Sequence, residues 1–261
     1  MKIEKYRNNG AKIIFFAKKS LIRNHQENRH FLAFMCLIVM TTYFLGCKTE
    51  DEISKQFPPA HPCPGLPVVN FGGEDYPTVE IGSQCWLAKN LNIGSLIVAD
   101  TEMQNNDEIE KYCYLNNPSY CLIYGGLYQW DEMMQYSNAE CSTGICPEGW
   151  HIPTESEWNE LLIYIDNDMR RIKDYRDQHW EMNSSDSTLV LGFNALPCGY
   201  FYHHLIEFSG RYKYAQYWSK TESDASSAIS FRLFSPGWYG ETFYQSNKLN
   251  AASVRCIKDQ E

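Results

Sequence analysis

Pro153-Thr154-Glu155-Ser156-Glu157-Trp158-Asn159-Glu160-Leu161-Leu162-Ile163-Tyr164-Ile165 is the most legible stretch of this 261-residue chain. Thr154 with Glu157 three positions on is a capping box, in which each side chain satisfies a backbone amide that the first helical turn leaves without a partner. Trp158, Leu161, Leu162 and Ile165 then fall at i, i+3, i+4 and i+7, the spacing of one buried helix face. A helix beginning after Thr154 and laid on an apolar surface is the expectation.

Outward from this helix the pattern changes. Leu127, Trp130, Met133 and Met134 stand at helical spacing after Gly125-Gly126 and predict a second short helix. Residues 76–81 alternate apolar and polar, Gly82-Ser83 interrupts them, and Cys85-Trp86-Leu87 resumes, which reads as a hairpin. Structure is expected from about Val68, with a loop over the polar, acidic stretch 99–111. Residues 166–187 read as irregular. Strand-like pieces follow at 193–196, 217–219, 228–233 and 253–257, punctuated by Pro197, Gly199, Gly210, Pro236, Gly237 and Gly240. Helices early and strands late, without βαβ alternation, place the domain in the α+β class with two short helices and a mostly antiparallel sheet.

The N-terminus has a different character. An apolar run over 31–45 ends in Gly46-Cys47 and the charged Lys48-Thr49-Glu50-Asp51-Glu52, the layout of a bacterial lipoprotein signal. The run is short of the roughly 20 residues of a spanning helix. Lys2, Lys5, Arg7, Lys12, Lys18, Lys19, Arg23 and Arg29 flank it, and Met35 or an earlier internal Met is an alternative start. Lipidation is expected at Cys47; an uncleaved N-terminal anchor is the alternative. The acidic run after Cys47 resembles the export tag of surface-exposed lipoproteins in Bacteroidetes-type bacteria. The division is therefore a signal segment at 1–46, an acidic, Pro-rich linker at 47–67 acting as an extended spacer, and a domain at 68–261.

Without the leader, 15 basic residues face 30 acidic ones, a net charge near −15. That balance disfavours nucleic acid and any electrostatic hold on anionic lipid, so membrane attachment is assigned to acyl chains on Cys47. Cys36 and Cys47 aside, eight cysteines remain: 63, 85, 113, 121, 141, 146, 198 and 256. An even number in an exported chain reads as a disulfide framework, with 105 pairings open. Paired C-x2-C spacings that would suggest zinc are missing, so no metal and no cofactor is expected.

Six blocks in order carry a resemblance to a known family. They are Gln84-Cys85-Trp86-Leu87-Ala88-Lys89-Asn90-Leu91-Asn92, Tyr124-Gly125-Gly126-Leu127-Tyr128-Gln129-Trp130, and Cys146-Pro147-Glu148-Gly149-Trp150-His151 running on to Trp158. Gly192-Phe193-Asn194-Ala195-Leu196-Pro197, Trp218-Ser219-Lys220-Thr221-Glu222-Ser223 and Ser253-Val254-Arg255-Cys256-Ile257-Lys258-Asp259 complete them. The chain resembles the Fibrobacter succinogenes major paralogous domain, an exported family often found as lipoproteins, whose biochemical role is largely unassigned. Its pattern is similar to the C-type-lectin-like fold in the version used by formylglycine-generating enzymes. The resemblance implies a Cys146–Cys256 bridge and suggests Cys113–Cys121. Cys85 and Cys198 stand where the family usually has other residues and are expected to pair with each other, leaving Cys63 with Cys141. Trp86, Trp130, Trp150, Trp158 and Trp218 are read as core.

Three functions compete. Catalysis of the formylglycine-generating type would need a redox-active, copper-binding cysteine pair, and the blocks around such a pair are missing; the chain is not expected to be an enzyme. Calcium-dependent lectins use Glu-Pro-Asn or Gln-Pro-Asp with Trp-Asn-Asp, and none of these occurs in the sequence. A recognition module fits best. Tyr200, Tyr202, His203, His204, Tyr212, Tyr214, Trp238, Tyr239, Tyr244 and Asn247 fall between Gly199 and Asn250, a mix of rings and adaptable hydrogen bonders typical of binding surfaces. In the lectin-like fold this segment supplies the exposed binding face. Some members of this fold, this family included, are diversified by retroelements that rewrite adenines near the gene's end, and the composition of this tail is compatible with that history. The expected partner is a glycan or protein on another surface, met by a lipid-anchored protein exposed on the outer membrane. A structural or fimbria-like assembly component is the alternative. Asp186-Ser187-Thr188 fits a loose O-glycosylation sequon.

Overall fold

Thr154 caps its helix as the sequence predicts: its Oγ1 accepts from the Glu157 amide at 3.1 Å, and Glu157 Oε2 accepts from the Thr154 amide at 2.7 Å. Trp158, Leu161, Leu162 and Ile165 are all buried. The computed structural model describes residues 59–139, 141–176, 179–180, 190–235 and 240–260, all within the unit Ser54–Glu261. Cys47, Trp238, Tyr239 and the 186–188 sequon lie outside the described residues.

In chain order the elements are β1 Val68–Phe71, β2 Glu74–Ile81, β3 Gln84–Leu87, β4 Ser95–Leu96, β5 Glu110–Lys111, α1 Pro118–Tyr124, β6 Tyr128–Gln129 and α2 Trp130–Met133. There follow β7 Trp150–His151, α3 Glu155–Tyr164, β8 Cys198–Tyr202, β9 Glu207–Arg211, β10 Tyr214–Asp224, β11 Ser227–Phe234, β12 Phe243–Asn247, β13 Ala251–Ala252 and β14 Ile257–Lys258. One sheet runs β1-β2-β3-β14-β7 and the larger runs β12-β11-β10-β8-β13-β6, with β9 on β8. Pairings are antiparallel except β8 with β10 and β4 with β5. The fold is α+β with few helices, mostly antiparallel sheets and three disulfides.

The last residues join the two sheets. β13 lies between β8 and β6, and β14 lies between β3 and β7. Between them the Leu91 amide donates to Val254 O, and that of Leu87 to Cys256 O. Cys256 is bonded to Cys146 just ahead of β7. Trp158 stands against Trp86 at 4.8 Å, Tyr217 at 5.6 Å and Phe231 at 4.5 Å between ring centroids. The indole N–H groups of Trp130, Trp158 and Trp218 each donate to a backbone carbonyl, so these large rings are buried without stranding a donor. All five tryptophans read as core are buried.

Several expectations are corrected. Leu127 does not begin a helix, because its backbone pairs with Tyr112 and the next two residues form β6; pairing with β13 overrides the helical spacing. The helix there shrinks to α2, and α1 is a third helix, started by Asn117, whose side chain accepts from the Ser119 amide, with Pro118 behind it. Residues 193–196 form no strand. Gly192 and Asn194 take positive φ there, which breaks an extended run. The region between 253 and 257 is two short strands flanking a crossing, not one strand.

The cysteine pairing is half corrected. Cys146–Cys256 and Cys113–Cys121 form. Cys85 pairs with Cys63, not Cys198; Cys198 and Cys141 are free thiols, buried and exposed respectively. The reason is upstream. The Glu80 amide donates to His61 O and the Cys63 amide to Thr78 Oγ1, which lays residues 61–66 on β2 and brings Cys63 to β3. Cys198 faces Ser253 instead, Sγ to Oγ 3.0 Å.

Candidate functional site

Alternation along β8, β10, β11 and β12 sorts the aromatic residues onto two sides of the larger sheet. Tyr217, Phe231 and Phe243 turn toward Trp158 and the core, with Phe231 to Phe243 at 5.9 Å. Tyr200, Tyr202, Tyr214, Arg232, Phe234 and Tyr244 form the other set. Tyr202 contacts Tyr200 at 6.2 Å, Tyr200 contacts Tyr214 at 5.6 Å, and Tyr214 contacts Phe234 at 5.9 Å between centroids. Arg232 completes the row, its Cζ 3.4 Å from the Tyr244 ring centroid. These side chains are half-buried, apart from Tyr244, which is exposed. Burial, with Tyr200 beside it, pushes the Tyr214 phenol well above its usual range, so it is a neutral donor at any physiological pH.

A polar network runs beneath the row. Arg232 Nε donates to Gln216 Oε1 at 3.1 Å. Gln216 Nε2 donates to Ser230 Oγ at 3.1 Å and Ser246 Oγ at 3.4 Å. Asn250 Nδ2 also donates to Ser246 Oγ, and Asn250 Oδ1 accepts from the His203 amide at 3.0 Å. Gln216, Ser230, Ser246 and Asn250 are all buried. Satisfied buried networks of this kind hold the groups above them in one arrangement.

The row ends in a cleft of about 310 Å³ lined by Tyr202, His203, His204, Asn247, Leu249 and Asn250. His203 and His204 are not on a strand but in a 3-10 turn, His203–Leu205, at the tip of the β8–β9 hairpin. Both therefore reach the same cleft, which strict strand alternation would forbid. His203 Nε2 lies 3.3 Å from Glu102 Oε1. Ile206 closes the turn in the left-handed conformation, φ 51° and ψ 45°, a strained position for a β-branched residue that costs about 1–2 kcal/mol. Leu249 in the lining is exposed, as are Leu205 and Ile206 in the turn.

Seven of the ten residues singled out in the sequence thus come together: Tyr200, Tyr202, His203, His204, Tyr214, Tyr244 and Asn247. Tyr212 does not join them. It sits at the β9–β10 turn against Arg211, whose Cζ is 4.5 Å from its ring and 4.2 Å from that of Tyr120. Arg232 and Gln216 were missed in the sequence. Their signal was present in the β11 alternation, Ser230-Phe231-Arg232-Leu233, which puts Arg232 opposite the core-facing Phe231 and Leu233.

The six blocks quoted from the sequence run through both sheets and the long helix of this fold, and the family model of the Fibrobacter succinogenes major domain matches residues 79–258. The chain belongs to the Fibrobacter succinogenes major domain family. The match runs from β2 to β14 and takes in the aromatic row and the cleft. Membership suggests a surface protein of unassigned function and brings no activity with it. No curated protein and no solved structure matches the chain.

Proposed function

We propose that this protein is a non-catalytic, lectin-like recognition module that binds a glycan on another surface through the Tyr200–Tyr214–Tyr244 row and the adjoining His203–His204 cleft. The observation that carries the reading is the continuity of the two. Half-exposed rings offer flat faces for the C–H side of sugar rings, and the cleft beside them offers the amide of Asn247 and two imidazoles to hydroxyl groups. An apolar surface with a few convergent polar groups is the usual composition of a small-ligand site. The buried network beneath it supplies preorganisation, which lowers the entropy cost of binding.

The Gly46-Cys47 signal and the acidic run after it support a lipid anchor at Cys47 and exposure on the outer membrane. No nucleic acid partner is assigned, given an acidic mature chain. The test is a glycan array probed with the purified full chain in detergent, beside Tyr244→Ala and His204→Ala, both at exposed positions. Binding that falls at least tenfold in each variant, with an unchanged thermal transition, supports the reading. A folded chain that recognises only protein surfaces, or binding indifferent to both substitutions, overturns it.

A further inference from the structure

The aromatic row contains a cation, Arg232, that has no counter-ion among the described residues. Several cations of this acidic domain are paired with carboxylates: Lys248 with Glu222 at 2.8 Å, Arg176 with Asp174 at 2.6 Å and Arg170 with Asp168 at 2.8 Å. Arg232 has no carboxylate within ion-pair distance among the described residues. Its Nε is taken by the neutral amide of Gln216, and Tyr244 covers one side of the guanidinium. Burial draws its pKa below the usual arginine value. A half-desolvated charge without a counter-ion is costly, and a ring face offsets only part of that.

Other cations in this region have different surroundings. Arg255 is enclosed and donates to Asn90 Oδ1, Leu87 O and Phe193 O; it holds the backbone. Lys173 is buried, donates to Phe234 O and lies over Trp180. Arg232 is the one that stands in the row of half-exposed rings.

We propose that the ligand is an acidic sugar and that Arg232 binds its carboxylate. The proposal rests on the glycan reading above and names the class of sugar. Guanidinium is the cation best matched to a carboxylate, through paired N–H donors in one plane. In a carboxylated pyranose the acid is attached to a ring carbon. One sugar residue can therefore lie on the tyrosines and place its carboxylate against Arg232, using both halves of the site together.

The test is calorimetry on the full chain in detergent, with oligogalacturonate and sialyllactose as probes and their methyl esters as uncharged counterparts. The acid form of at least one probe is expected to bind about tenfold or more tighter than its ester, the scale of one charge-assisted contact, with the difference narrowing at high salt. Arg232→Gln should bring the acid down to the level of the ester, Arg232→Lys should retain part of the preference, and Arg211→Gln should leave it intact. The acid–ester comparison on the unaltered chain does not depend on how any variant folds. Equal binding of acid and ester, or a preference that survives Arg232→Gln in a folded chain, overturns the proposal. Neutral glycans that bind through Tyr244 without regard to charge would sink the acidic-sugar assignment alone. Failure of every glycan, acidic or neutral, would remove the underlying reading as well.

Discussion

Trp158 lies flat on Phe231, with centroids 4.5 Å apart and planes 12° from parallel. The contact joins the only helix longer than two turns among the described residues to the strand that carries Arg232 on its other side. Core and candidate site are thus two faces of β11.

Trp158→Ala is expected to cost about 3–5 kcal/mol, the range for a buried tryptophan whose cavity does not collapse. Chemical denaturation of the oxidised chain measures it. A loss below about 1 kcal/mol would show that this ring is not a keystone of the packing.

Asn90 is expected to matter more than its size suggests. Its Oδ1 accepts from Nε and Nη2 of Arg255, at 3.1 and 2.6 Å. Asn90→Ala leaves buried guanidinium donors unsatisfied, with an expected loss of about 2–4 kcal/mol. Arg255→Met, which removes the charge as well, tests the sharing of that cost, since double-mutant coupling should be strong.

His151 sets a pH window. It bridges Glu157 Oε1 at 2.8 Å and Asp259 Oδ1 at 2.5 Å. Burial works against its charged form, but the hydrogen bonds to the two carboxylates prevail and raise its pKa above 6.5. Glu157 is also burdened by burial, yet its bonds to His151 and Thr154 hold it below 4.5. The His151 contribution is complete below the unfolded value near 6.5 and is lost as pH rises through the raised one. The Glu157 contribution is complete above the unfolded value near 4.5 and is lost as pH falls. Stability from this cluster therefore peaks between about pH 4.5 and 6.5. His151→Gln should flatten the alkaline side of a melting-temperature profile, and an unchanged profile would count against the bridge.

The disulfides differ in reach. Cys146–Cys256 spans 110 residues and Cys113–Cys121 spans 8. On loop-closure entropy the first stabilises by about 4.8 kcal/mol and the second by about 2.5 kcal/mol, so paired Cys→Ser variants should differ by about 2 kcal/mol. Peptide mapping after alkylation should find Cys141 modified in the native protein and Cys198 only after unfolding. Native labelling of Cys198 would contradict its burial.

Local chemistry was legible in the chain. Thr154 with Glu157 specifies a helix start because both partners of the capping box lie within one turn. Tyr76 to Leu87 specifies a hairpin because alternation and a Gly-Ser break lie side by side. The family blocks could likewise be read from residues and their order, and it was the resemblance they carry that implied Cys146–Cys256 and Cys113–Cys121. The Tyr, His and Asn content of 199–250 marked most of the candidate site before any coordinates.

Only the tertiary structure decided which of those residues meet. Tyr212 and Tyr214 are two positions apart, yet the first stacks on Arg211 at a turn and the second on Tyr200 in the row, because Tyr212 lies beyond the strand and takes φ 71°. His203 and His204 share a cleft because the hairpin tip turns in a 3-10 helix. Cys63 reaches Cys85 because upstream residues lie on β2. Arg232 comes to stand among rings through strand register, which brings in neighbours 12 residues or more away. Sequence specifies what the backbone does over a few residues; contacts between distant segments depend on the free energy of the whole packed chain, and that is where the binding face is made.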